Sequence, residues 1–106
     1  METNQSNESN RANLDQLKGA TLVEFGADWC GYCRVAQPII ASALISYPRT
    51  LHIKIEDGKG RRLGRSYSIK LWPTLIFLKN GTEIKRLVRP DNPEVIAEVL
   101  AEINIK

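Results

Sequence analysis

The chain has 106 residues, 42% hydrophobic and 25% charged, with a net charge of +3, the make-up of one domain with its own core and too small for two. Every apolar run falls far short of the ~20 residues that span a bilayer, which excludes a membrane-spanning helix. No basic start leads into an apolar segment, so no secretory signal is read and a cytoplasmic location is expected.

Residues Met1 to Asn10 are almost wholly polar and have nothing to bury; they are expected to form a disordered tail ahead of a domain over residues 11–106. Arg11 to Lys18 spaces Leu14 and Leu17 for a short helix, with Asn13 as its cap and Gly19 as its stop. Thr21 to Gly26 reads as a central strand, with Val23 and Phe25 on one face and Leu22 and Glu24 on the other. In a sheet covered on both faces Glu24 is buried, which is unfavourable for a carboxylate without a partner. After Asp28-Trp29-Cys30-Gly31-Tyr32-Cys33-Arg34 comes a helix predicted from Cys33 to Tyr47, interrupted by Pro38. Leu51 to Glu56 alternates Leu51, Ile53 and Ile55 against His52, Lys54 and Glu56, which predicts a second, parallel strand. His52 is the only histidine, has no motif beside it, and is assigned to the surface. Lys59 to Tyr67 has helical spacing weakened by Gly60 and Gly64. Trp72-Pro73-Thr74 leads into the strand Leu75 to Leu78. Asn80-Gly81 then turns the chain into an antiparallel strand over Glu83 to Val88. Asn92-Pro93-Glu94 opens a last helix, with Val95, Ile96, Val99, Leu100 and Ile103 on its apolar face.

The only two cysteines stand two residues apart at a strand-to-helix junction. Cys30 falls near the helix N-terminus, where unpaired N–H groups and the helix dipole favour the nucleophilic thiolate. Cys33 lies one turn on, close enough to form a small disulfide ring. Without a secretory signal, such a pair is read as catalytic or metal-binding rather than as a structural staple. Zinc usually takes four ligands; two cysteines and one distant histidine could supply them only in a dimer.

Trp29-Cys30-Gly31-Tyr32-Cys33, preceded by Val23-Glu24-Phe25 and followed by Trp72-Pro73-Thr74, resembles the thioredoxin family from about Leu14 to the C-terminus. The resemblance implies an α/β thioredoxin fold, a central mixed sheet of about four strands flanked by helices. The family's usual first strand is missing, because nothing before Arg11 has strand character. The implied activity is thiol–disulfide exchange, mainly protein disulfide reduction, with Cys30 as nucleophile and Cys33 as resolving thiol. No cofactor or metal is implied beyond the redox-active Cys30–Cys33 pair. Glu24 occupies the position of the family's buried Asp, which assists proton transfer at the second cysteine; burial is expected to raise its pKa into general acid/base range. Lys54 falls where the family has a lysine that pairs with that carboxylate. Pro73 matches the family's cis-proline beside the disulfide. Trp29, Gly31, Tyr32, Trp72, Pro73 and Thr74 make up the substrate-contacting rim. Trp72 is bulkier than the family's usual residue, and either widens the apolar contact or screens the thiols. Arg89 stands where the family usually has a glycine lining the groove, and is expected to narrow it and to favour carboxylate-bearing partners. Gly31-Tyr32 replaces the Gly-Pro of common reducing members, which implies a somewhat more oxidising couple.

Between Arg49 and Arg89, eleven Lys/Arg face three acids. This basic face is either simply solvated or steers an acidic protein partner. It lacks the aromatic interleaving of nucleic-acid binders, so nucleic acid is excluded. Expected partners are proteins carrying disulfides or dithiols and a reductase such as a thioredoxin reductase, with the chain acting as a monomer. Two alternatives stay open: a redox-linked module dedicated to one partner, and a more oxidising isomerase or oxidant.

Overall fold

A computed structural model describes residues 10–105. Four strands form one mixed sheet in the order β2-β1-β3-β4: β1 (Ala20–Gly26), β2 (Leu51–Glu56), β3 (Thr74–Lys79) and β4 (Thr82–Val88). The pair β1–β2 is parallel, in the register Leu22↔His52 and Glu24↔Lys54. Strand β3 runs antiparallel to β1, and β4 antiparallel to β3. Helices α2 (Gly31–Leu44) and α4 (Pro93–Ile103) cover one face; α1 (Arg11–Asp15) and α3 (Arg62–Ser66) lie over the other. This is the thioredoxin fold; the expected absence of a first strand falls on residues outside the described ones.

The strand period divides the core in two. Leu22, Leu75 and Phe77 pack against Ile40, Ile96, Val99, Leu100 and Ile103 on the α2/α4 side. Val23, Phe25, Ile76 and Leu78 pack against Leu14, Leu63 and Tyr67 on the other. Each such fully buried side chain contributes roughly 1.5–3 kcal/mol over its exposed state. A central strand buried along its length is therefore fixed in register, because a slip of one residue would exchange its faces.

Strands β1, β3 and β4 extend one residue beyond the sequence reading at their ends, and the boundaries of α1, α2 and α3 differ more. Asn10, not Asn13, caps α1, with its Oδ1 accepting the Asn13 N–H at 2.9 Å; Asn10 thus belongs to the fold, and the remainder of the expected tail lies outside the described residues. Helix α2 starts at Gly31 and ends at Leu44, two residues earlier at its start and three at its end than expected, because the cap is supplied by Cys30. Helix α3 is only five residues long, the glycines having shortened it. Asn92 caps α4 as expected, accepting the Val95 N–H at 3.0 Å.

The Asn80-Gly81 turn has positive φ at both residues, 52° and 81°, the signature of a primed hairpin turn. It docks on the end of α1, where a Cβ on Gly81 would collide with the Asp15 carbonyl. Asn80 exchanges two hydrogen bonds with Gly19: its N–H donates to the Gly19 carbonyl and its Oδ1 accepts the Gly19 N–H. The hairpin thereby anchors the entry to β1, and β1 delivers the cysteines.

Candidate active site

Strand β1 ends at Gly26, and three residues later the chain enters α2 with Cys30 as its N-cap. The Cys30 N–H donates to the Ala27 carbonyl at 3.1 Å. Its Sγ accepts the Cys33 N–H, also at 3.1 Å, so the sulfur takes one of the donors that a helix start leaves unpaired. Both thiols are free and buried. Burial pushes the Cys33 thiol up to about 11, reinforced by its contact with Cys30 and the charge of Glu24, and partly opposed by the Ala27 backbone. Cys33 therefore keeps its proton at neutral pH. The glycine at position 26 has a steric reason: a Cβ there would lie 2.7 Å from Cys33 Sγ.

Glu24 is buried at 3% exposure, on the β1 face that looks toward α2. Its Oε1 lies 2.9 Å from His52 Nε2, and its Oε2 accepts the Gln37 side-chain N–H at 2.6 Å. Gln37, one turn after Cys33, also donates to the Cys33 carbonyl and accepts from Lys54 Nζ, each at 3.1 Å.

Three expectations are corrected here. Lys54 reaches Glu24 through Gln37 rather than by a direct pair. His52 is buried at 5% exposure, because the polar face of β2 turns inward beneath α2. Burial pushes the Glu24 carboxyl up, but hydrogen bonds from His52 and Gln37, with attraction from Lys54, outweigh it and hold the group below its ordinary 4.5. It is a carboxylate at neutral pH, a proton acceptor rather than a stored acid. Glu24, Cys33, Gln37 and Lys54 line one pocket of about 120 Å³, large enough for water to carry a proton between them.

Around the thiols, Trp29 and Tyr32 stand exposed at 71% and 61%. Trp72 is half-buried and meets Trp29 edge-on at 5.2 Å between ring centres, while its indole N–H donates to Asp57 at 3.0 Å. The Trp72–Pro73 peptide bond is cis. Thr74 is buried and its hydroxyl donates to the Leu71 carbonyl at 2.6 Å, so its side chain secures the loop. Gly31, the first residue of α2, is open to added atoms. Arg89 stacks over Tyr32 at 3.9 Å, and its Nε donates to the Trp72 carbonyl at 2.7 Å.

Gln37, His52, Asp57 and Gly26 were not read from sequence as parts of the site. The usable signals were the i+4 spacing of Gln37 from Cys33 and the shared face of His52 and Lys54. Among the described residues, no group of three His, Cys, Asp or Glu side chains is placed to hold a metal ion.

The family model described as Thioredoxin matches residues 2–102. The chain belongs to the thioredoxin family. It is 35% identical to Thioredoxin H4-1 of Oryza sativa subsp. japonica over 76% of its own length, and spans 61% of that longer protein. With the thioredoxin of Chlamydia pneumoniae it shares 32% identity, over 77% of this chain and 80% of the relative. The reduced form of thioredoxin 2 from Pseudomonas aeruginosa PAO1 superposes with a TM-score of 0.81 at 50% identity, covering 96% of this chain and 99% of that one. Thioredoxin members carry out thiol–disulfide chemistry with their cysteine pair and no added cofactor.

Proposed function

We propose that this thioredoxin-family chain is a thiol–disulfide oxidoreductase acting mainly as a protein disulfide reductase. Cys30 thiolate attacks one sulfur of a substrate disulfide, forming a Cys30–substrate disulfide and releasing the other substrate sulfur as a thiol. Cys33 passes its proton through the pocket to Glu24, and the resulting thiolate attacks Cys30 Sγ. The Cys30–Cys33 disulfide forms, the second substrate thiol leaves, and two electrons have passed to the substrate. Lys54 holds Gln37, which orients Glu24 for that proton.

One observation carries this reading: a capping sulfur at Cys30 stands beside a buried Cys33 that shares a pocket with Glu24. The two thiols are thus separated into attacking and resolving roles. Trp29, Tyr32, Trp72 and Pro73 supply an apolar landing surface for an extended protein segment, and Arg89 favours acidic segments. A thioredoxin-reductase-type donor in the cytoplasm recycles the pair, and the protein acts as a monomer without metal.

Turnover of insulin disulfides in the presence of dithiothreitol tests the proposal. C30S abolishes turnover. C33S traps a stable mixed disulfide with substrate, visible by mass spectrometry. Persistent turnover in C30S contradicts the reading.

A further inference from the structure

Among the described residues, His52 and Tyr67 are buried titratable side chains with no part in the exchange as written, and His52 touches the group on which the second step depends. Its Nε2 lies 2.9 Å from Glu24 Oε1, with the two side chains 6% and 3% exposed. Its other nitrogen, Nδ1, is buried without a hydrogen-bond partner. A hydrogen on Nδ1 would be an unsatisfied buried donor, so these surroundings fit the ring whose hydrogen is on Nε2 and points at the carboxylate.

Gln37 serves only Oε2 of Glu24, and Lys54 stops at Gln37. Oε1 therefore depends on His52. The other titratable and charged groups near Glu24 lie around the pocket: Lys54 and Glu56 on β2, Cys33 and Arg34 on α2, and Asp28 on the preceding loop. Strand β3 and helix α4 present the apolar Leu75, Phe77, Ile96 and Leu100 to this side of the sheet. Without the Oε1 partner, a buried carboxylate is driven toward its protonated form, and a protonated Glu24 cannot accept the Cys33 proton.

We propose that His52 is a positioning residue for the resolving step: it donates Nε2–H to Glu24 Oε1, keeping the carboxylate ionised with Oε2 turned to Gln37 and the pocket. The proposal rests on the oxidoreductase reading and adds to it a residue on the neighbouring strand that acts through Glu24.

The test separates the two chemical steps by stopped flow. Reduced protein is mixed with 5,5′-dithiobis(2-nitrobenzoate) across pH 5 to 9, and thionitrobenzoate release is recorded. The first release reports Cys30 attack and the second reports resolution by Cys33. In H52L the acid limb of the second phase moves to higher pH, slowing it about tenfold at a fixed acidic pH for each unit of movement. H52Q keeps an amide donor and restores the wild-type limb. A second phase unmoved in H52L, or moved equally in H52Q, overturns the proposal. Should H52L not fold, the carboxyl ¹³C titration of Glu24 in the wild-type protein decides: a midpoint below that of an ordinary glutamate supports the proposal, and one above it overturns it. Absence of any second phase in wild type contradicts the oxidoreductase reading itself, and the proposal with it.

Discussion

At Arg89 the backbone sits at φ 51°, a left-handed conformation that costs a residue with a Cβ roughly 1–2 kcal/mol. This accounts for the glycine usual in the family, and the side chain supplies the compensation: stacking on Tyr32, about 0.5–1 kcal/mol at an exposed site, and a hydrogen bond to Trp72. R89G therefore leaves the midpoint of thermal unfolding within a few degrees of wild type. Its kcat/KM for acidic peptide disulfides over neutral ones falls about three- to tenfold, and the preference loses its salt dependence; an unchanged ratio at low salt contradicts the role given to Arg89. Gly26 is constrained by a side chain rather than by its own backbone. G26A forces Cys33 Sγ aside, destabilising the reduced protein by about 1–3 kcal/mol and slowing resolution more than initial attack, which the two-phase assay reads directly.

The elements that hold the site depend on a few end groups. Asn92 offers the standard cap to α4, and N92A lowers stability by about 1 kcal/mol. Gly81 carries more: it has positive φ and no room for a methyl group against Asp15. G81A consequently costs at least about 2 kcal/mol, with an unfolding midpoint roughly twice as far below wild type as that of N92A; similar midpoints for the two would show that the turn yields easily. Edge strand β4 is secured at its polar side by Arg86, whose guanidinium holds Glu83 at 2.7 and 2.9 Å and the Tyr67 carbonyl at 2.8 Å. The charges also discourage pairing of that edge with another chain.

Across the whole molecule, stability follows the two perturbed groups on either side of the pocket. Cys33 is raised from 9.0 to about 11, so the reduced fold holds its full contribution below pH 9 and loses it between about 9 and 11. Glu24 is lowered from 4.5, so its contribution is present above that value and disappears as pH falls through its folded midpoint. Burial also raises Tyr67, a loss common to both redox forms. Urea unfolding should thus show an alkaline decline between pH 9 and 10 in the reduced protein that the disulfide form lacks; equal declines would contradict the assignment to Cys33.

The layers were legible in sequence because strand and helix periods show directly which residues face inward, and the cysteine spacing and Asn-Gly turn are short-range signals. The polar network was not. Alternation placed His52, Lys54 and Glu56 on one face of β2, but whether that face meets solvent or a helix depends on how α2 packs. The contact of His52 with Glu24, 28 residues apart in the chain, depends further on the register Leu22↔His52 set by the pairing of β1 with β2. Likewise, the charge state of Glu24 turned on partners supplied by two other elements, which burial alone could not reveal.

The central claim is that Cys30 and Cys33 form a working two-electron couple of reducing character. Equilibrating the protein against glutathione buffers and quantifying the Cys30–Cys33 disulfide tests it most directly. The account predicts a single transition between about −270 mV, the reference value for thioredoxin itself, and about −180 mV, that of protein disulfide isomerase. A couple near −120 mV, the range of a strong oxidant, or a pair that forms no disulfide at all, would contradict it.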